Sequence, residues 1–590
     1  MYTDVKNVRV LIALLKEYNI SDAVLSSGTC SIPVLQSLET DTFFNCYSDI
    51  DERSSVYFAI GISQMKQKPV AVVCTSGTAA SNYLPGVCEA KKLGVPLIII
   101  TCDKNPHTLG HLTIQKINQH NIYGKNCKFY ATVPVIKDKL DEWAVKTYIT
   151  QAILECVNGP KGPVHLNIYT DGDKKTFNTP DLPKVDHVYR YDYFQMLDIK
   201  ESIIHELNRT KRILVIIGEG SPFSKTETEL LDRFCEQYGA VVLAEHVANV
   251  KSKYALNSYR YTEQIAPKTF ISELKPDLII TMGGNYASYE IKTLLQRAHV
   301  KHWWIDPAGK LVDLWRSIHT IFECNPSDFF REMIDCNKGS VANSNYYQLW
   351  KQRIESTNVS TNKFSSLYVV GQVCKHLDGC KLLHLGILNS TRLVHLFDIP
   401  SEITTYSNLG ALGIDGSLSS FLGQMQALKE GFGLCILGDL SFIYDINSLY
   451  GCTLSDKTKI ILLNNGGGSE FHLNTGIDVI PTLDNYISAG HTSKASEWAK
   501  ALGFDYYCLS NINDVEPTLE RFFSSKMPSF LEVFSNMETD ANVIKEMYQS
   551  NGYSVTQKQT GVRLRKILLK TIGIKKTQKI VKIAKIWREE

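Results

Sequence analysis

Short apolar runs rich in β-branched residues alternate with helical stretches through most of this 590-residue chain, and nothing else in it restricts the fold so strongly. Strand–helix–strand repeats of this kind bury both faces of parallel sheets under helices. One group of runs comprises Asp22–Ser26, Pro69–Thr75, Pro96–Cys102 and Pro163–Ile168. A second comprises Arg212–Gly218, Gly239–His246, Asp277–Gly283 and Lys301–Pro307, and a third Lys381–Gly386, Leu434–Asp439, Lys459–Asn465 and Pro528–Phe534. Polar stretches at about 171–186 and 338–363 separate the groups. The pattern predicts three doubly wound α/β domains, at 1–185, 186–355 and 356–545, followed by a tail at 546–590. In such sheets ligands sit at the carboxyl ends of strands, so polar motifs that end strands are where chemistry is expected.

Bulk composition excludes several classes. A formal charge of +2 makes no electrostatic case for nucleic-acid binding. A hydrophobic content of 44% and a charged content of 21% fit a soluble protein. The first twenty residues place Val5, Val8, Leu11, Ile12 and Leu15 at helical spacing among charged residues, an amphipathic helix rather than a signal peptide. No apolar run reaches the roughly 18 residues of a membrane span. The 15 cysteines are scattered with no C-x-x-C pair, which argues against a disulfide framework or zinc site and for the cytoplasm.

The most informative motif is G-D-L-S at 438–441, followed by N-N-G-G-G at 464–468. Two adjacent strand ends would bring together Asp439, the amide oxygen of Asn465 and a nearby backbone carbonyl. These are hard oxygen ligands suited to Mg²⁺, which completes its octahedron with phosphate oxygens. Gly438 and the later glycines let backbone approach a diphosphate, and the helix bearing Ser441 points N–H groups at it. Either piece alone also fits an ordinary capped βαβ corner; together they resemble the diphosphate–metal motif of thiamine-diphosphate enzymes.

Such a cofactor needs a carboxyl group against its aminopyrimidine ring. Glu52, in D-E-R-S at 51–54 and ahead of an apolar helix and the glycine-bearing turn Thr75–Thr78, is the candidate, with Thr75 and Gly77 as cofactor contacts. Its other reading is a solvated surface charge.

With these motifs stand L-S-S-G-T at 25–29, C-T-S-G-T-A at 74–79, G-P-V-H-L-N at 162–167 and S-N-L-G-A-L-G-I-D-G at 407–416. In this order, from about residue 7 to 534, the chain resembles the menaquinone-pathway synthases that join 2-oxoglutarate to isochorismate, the 2-succinyl-5-enolpyruvyl-6-hydroxy-3-cyclohexene-1-carboxylate (SEPHCHC) synthases. The resemblance implies pyrimidine-binding, middle and diphosphate-binding domains, and a homodimer or dimer of dimers with Glu52 of one subunit facing cofactor held by the other. It implies Asp439, Asn465 and the Gly467 carbonyl as metal ligands. Ile414 would be the apolar wedge that bends the cofactor, a role compatible with an ordinary core position.

The substrate clamps depart from the family. Position by position, Cys30, Leu409 and Val394 stand where it carries arginines, Lys104 replaces another, and a lysine–arginine pair becomes Lys292-Thr293, while Ser390 and Gln115 stay. Arg392 lies two residues before the Val394 position. An unpaired buried carboxylate costs several kcal/mol, so a donor less acidic than 2-oxoglutarate, such as pyruvate, is expected with some acceptor. Glu470, beside Phe471 and His472, is either an acid–base or hydroxyl-gripping group or a solvated loop carboxylate. His111 and His120 read as surface or structural residues. The overall expectation is a decarboxylating carboligase. The alternatives are a simple 2-oxo-acid decarboxylase, the menaquinone-pathway synthase itself, or a non-catalytic cofactor-binding scaffold.

Residues 561–590 hold ten Lys/Arg against two Glu, with Ile580, Ile583, Ala584 and Trp587 at helical spacing. This basic amphipathic tail is expected to rest on an anionic membrane surface, on a partner protein or on the protein itself.

Overall fold

A computed structural model describes all residues except 171–175, 221, 335–344, 450–453, 474–476, 478–479 and 551–590. Most of the basic tail therefore lies outside the described residues. The chain forms two compact units: Met1–Met196 with Ala308–Glu323, and Leu197–Pro307 with the described residues from Cys324 onward.

The first unit contains a six-stranded parallel sheet built from β1 (Asp22–Leu25), β2 (Asn45–Ser48), β3 (Val70–Cys74), β4 (Leu97–Asp103), β5 (Tyr130–Val133) and β6 (Val164–Tyr169), in the order β2-β1-β3-β4-β6-β5. Its central strands β3 and β4 are buried throughout because both faces are covered. In β4, Ile98 and Ile100 join one core with Leu11, Ile12 and Leu15 of the helix Lys6–Glu17. Leu97 and Ile99 join the opposite core with Val56 and Ala59 of the helix Glu52–Lys66. The same unit pairs β7 (Tyr189–Asp192) in parallel with β13 (Ile318–Glu323).

The second unit begins with β8 (Ile213–Ile217), β9 (Val241–Ala244), β10 (Ala255–Leu256), β11 (Leu278–Met282) and β12 (Lys301–Ile305), ordered β10-β9-β8-β11-β12. It continues with β14 (Cys380–Leu385), β15 (Thr404–Ser407), β16 (Phe432–Gly438), β17 (Thr458–Asn464), β18 (Asp505–Leu509) and β19 (Ser529–Phe534), a parallel sheet ordered β15-β14-β16-β17-β19-β18. Strand for strand, this repeats the winding of the first sheet. In each, the chain reverses its direction of growth between the first and third strands, which opens a crevice at their carboxyl ends. Gly28 and Gly386 occupy matching places in those crevices. A Cβ on Gly28 would fall 2.3 Å from Cβ of Thr75, and one on Gly386 would fall 3.1 Å from Cα of Leu437.

The stretch at 338–363, expected as a polar separator, instead carries the helix Asn345–Glu355. Tyr346, Trp350 and Ile354 recur every four residues and are buried, a stripe narrow enough to be hidden by polar neighbours. Among the described residues no helix is long and apolar enough to cross a membrane.

Candidate active site

Strands β16 and β17 run in register, Gly438 beside Leu463, so the residues just beyond them meet. Asp439 opens the seven-residue helix Asp439–Asp445 and is 3% exposed. Its Oδ2 accepts the amide N–H groups of Gly466 (2.8 Å) and Gly467 (2.9 Å), and its Oδ1 accepts that of Leu440 (2.7 Å). Burial raises the pKa of this carboxyl, while His491 and the three amides pull it back toward the charged form. Nε2 of His491 lies 3.3 Å from Asp439 Oδ2.

Asn465 is held by its amide nitrogen, which donates to Ser469 Oγ (3.1 Å) and Asp540 Oδ2 (3.1 Å). Its Oδ1 is buried and, among the described residues, accepts no hydrogen bond. An unpaired buried acceptor costs about 1–3 kcal/mol unless something supplies a positive charge or a donor. Gly467 adopts φ +145°, and a Cβ there would meet the Ser488 carbonyl oxygen at 2.5 Å, so only glycine fits. The Gly467 carbonyl accepts from Ser469 N–H at 3.1 Å and keeps a second lone pair. A buried carboxylate, a vacant amide oxygen and a backbone carbonyl form an oxygen-donor set that fits Mg²⁺. Ser441 is buried in the first turn of the same helix, and Gly438 caps it.

On the facing side, the helix Asn389–His395 starts after Leu388, whose φ of +57° is strained for a leucine. Asn389 Nδ2 donates to Ser469 Oγ at 2.7 Å, and Ser390 is buried. Ser469 therefore bridges this helix to Asn465. Arg392 Nη1 donates to Glu470 Oε2, the two side chains 19% and 18% exposed, and the guanidinium lies 5.4 Å from the Tyr289 ring centroid. The structure thus joins two residues that the sequence offered separately.

Val394 is wholly buried and Leu409 is 6% exposed; both belong to one apolar core. Ile414 is half-buried in the turn before the helix Ser417–Ala427. Phe471 is half-buried against Gly468, His472 Nε2 lies 2.8 Å from Asp484 Oδ1, and Lys292 is exposed on the helix Tyr289–Ala298.

In the first unit, Glu52 is the first residue of its helix, which Asp51 caps by accepting from Arg53 N–H. Glu52 is half-buried and its Oε2 accepts from Asn82 Nδ2 at 3.3 Å. Thr75 Oγ1 accepts from Cys30 N–H (3.2 Å), and Cys30 Sγ lies 3.4 Å from Ser76 Oγ. Gln115 donates to the Ser76 carbonyl (3.1 Å), and Gly77 N–H donates to Gln119 Oε1 (3.0 Å). Lys104 is held on the Ile114 carbonyl. His120 Nδ1 is 3.1 Å from the Tyr130 hydroxyl, and His111 is exposed.

Several supporting residues escape a reading of the sequence. Lys116 pairs with Asp103 at 2.7 Å, both side chains 3% exposed, and Asp103 also accepts from Asn167 (3.1 Å). Gln119 donates to Asn167 (2.9 Å), so this buried chain ends on the Gly77 amide. His491, Ser469 and Asp540 are missed likewise. None carries a motif; only polar residues buried beside strand ends would have pointed to them.

Residues 6–122 match the thiamine pyrophosphate enzyme family's N-terminal TPP-binding domain. The chain is 32% identical over 557 residues to the SEPHCHC synthase of Bacteroides thetaiotaomicron, covering 93% of this chain and 99% of that one. It is 31% identical to the synthase of Phocaeicola vulgatus and 28% to that of Flavobacterium johnsoniae, in each case over 93% of this chain and 99% of the relative. The parallel-sheet fold, the matched domain and these relatives define an enzyme of the thiamine-pyrophosphate class. Within that class, the chain belongs to the 2-succinyl-5-enolpyruvyl-6-hydroxy-3-cyclohexene-1-carboxylate synthase family.

Proposed function

We propose that the protein is a Mg²⁺-dependent transferase that decarboxylates a small 2-oxo acid and joins the remainder to an acceptor. The observation that carries the reading is the vacant, buried Oδ1 of Asn465 beside Asp439. Asp439, Asn465 Oδ1 and the Gly467 carbonyl would hold the cation that anchors the cofactor diphosphate, with Gly438 and Ser441 beside it. Thr75 and Gly77 would line the pyrimidine pocket, Glu52 would hydrogen-bond the ring, and Ile414 would pack against the cofactor. Thiamine diphosphate, when bound, supplies the electron sink that the bond-breaking step requires. The protein's own work is to orient both partners, exclude water and hold the proton at Glu52.

The relatives are named for SEPHCHC synthesis; our reading departs from that name in the donor. Leu409 and Val394 offer apolar core where two cations would be needed for a second carboxylate. Cys30, Lys104, Gln115, Lys292, Ser390, Arg392, Glu470 and Phe471 are the remaining candidate substrate contacts. The reading keeps the division at 1–185, 186–355 and 356–545, and a cytoplasmic homodimer. Exposed Ile50 (84%), Tyr57 (46%) and Phe58 (50%) around Glu52 support burial of that surface by a second subunit. The tail would touch an anionic membrane surface; equal vesicle sedimentation with and without residues 561–590 would remove that part.

The test screens 2-oxo acids with thiamine diphosphate and Mg²⁺ for CO₂ release, then analyses products with and without acceptor. Aldehyde as the sole product defeats the transferase reading in favour of a decarboxylase, and preference for 2-oxoglutarate with isochorismate returns the chain to its relatives' reaction.

A further inference from the structure

Arg392 is the one arginine on the helix Asn389–His395, whose first residue shares Ser469 with the Asn465 loop. It is mostly buried, and its guanidinium is turned onto a carboxylate of the same unit, Glu470, two residues past the G-G-G turn. Charge-assisted pairs of this kind are the strong hydrogen bonds of a partly desolvated site. Tyr289 covers one face of the guanidinium. The cation is therefore neutralised from within before any substrate arrives.

We propose that Glu470 is a specificity-determining residue: it occupies the position at Arg392 that the distal carboxylate of a dicarboxylic donor would take, and so selects monocarboxylic 2-oxo acids. The inference rests on the proposed function and deepens it by naming how the donor class is enforced. A second carboxylate entering beside Arg392 meets the like charge of Glu470 and must displace it to find a partner. A methyl or short apolar donor side chain makes no demand on Arg392 and leaves the Arg392–Glu470 pair in place. Glu470 thus acts as a permanent stand-in for the missing substrate group.

Two measurements test this. The first is calorimetric titration of succinate into the protein without cofactor, for wild type, Glu470→Gln and Glu470→Gln/Arg392→Met. The expected result is binding by Glu470→Gln at least about tenfold tighter than by wild type, abolished again in the double variant. Equal succinate affinity in all three overturns the proposal. The second is the ratio of kcat/KM for 2-oxoglutarate to that for pyruvate, which should rise about tenfold or more in Glu470→Gln; an unchanged ratio also overturns it. If wild type releases CO₂ from no 2-oxo acid, the proposed function fails, and the succinate titration still decides the role of Glu470. Glu470→Asp, which keeps the charge, should stay closer to wild type than Glu470→Gln in both measurements.

Discussion

His491 Nε2 stands 3.3 Å from Oδ2 of Asp439, the oxygen that already accepts two glycine amides. Three backbone amides orient that carboxylate, and the imidazole beside it favours its charged form. Its removal should leave the fold intact and weaken Mg²⁺ binding. His491→Ala is expected to lower Mg²⁺ affinity, measured by cofactor titration at fixed thiamine diphosphate, by roughly 10–100-fold. An unaltered affinity would show that the three backbone amides alone keep Asp439 ready for the cation.

Glu52→Gln keeps the shape at the head of its helix and removes the carboxylate. Turnover should fall about 100-fold or more, within the range of a lost acid–base group, while cofactor still binds. Retained activity would mean that some other group serves the pyrimidine ring.

Gly467→Ala places a methyl group 2.5 Å from the Ser488 carbonyl oxygen at a φ of +145°. The turn must open, at a cost of about 1–3 kcal/mol, and both the melting temperature and Mg²⁺ affinity should drop. A melting temperature equal to that of wild type would show that the turn yields freely.

His165 is buried on β6 between β4 and β5, with Nε2 2.8 Å from Thr101 Oγ1, and burial pushes its pKa from 6.5 down to about 3. The folded protein keeps the ring neutral, whereas the unfolded chain protonates it below pH 6.5. The stability from this group is complete above pH 6.5 and is lost as pH falls toward 3, about 2 kcal/mol by pH 5. Denaturation midpoints at pH 7.5 and 5 should therefore lie closer together in His165→Gln than in wild type. Identical acid sensitivity would place the labile group elsewhere.

The interior strands are legible because burial on both faces writes an unbroken apolar run, as at 97–100 and 460–463. The edge strands are not. Asn45–Ser48 and Tyr189–Asp192 are four residues long, with polar or half-exposed side chains that mimic loop. At the site, Asp439 and Asn465 can be read because two strand ends and a run of glycines flank them. Ser469 and Asp540, which set the Asn465 amide, come from 4 and 75 positions away and carry no local signature. The Arg392–Glu470 pair is invisible for the same reason: helical spacing on one segment says nothing about the turn it faces, 78 positions later.

The first and third sheets share one strand order, and each places a glycine where its crevice opens. On the proposed reading the same winding would serve two ends: one sheet carries a carboxylate and a hydroxyl-lined turn, the other the corner at Asp439 and Asn465. If turnover needs both, Gly28→Val and Gly386→Val should each silence CO₂ release while the untouched sheet keeps its own hydrogen bonds, and a fully active variant would refute that dependence.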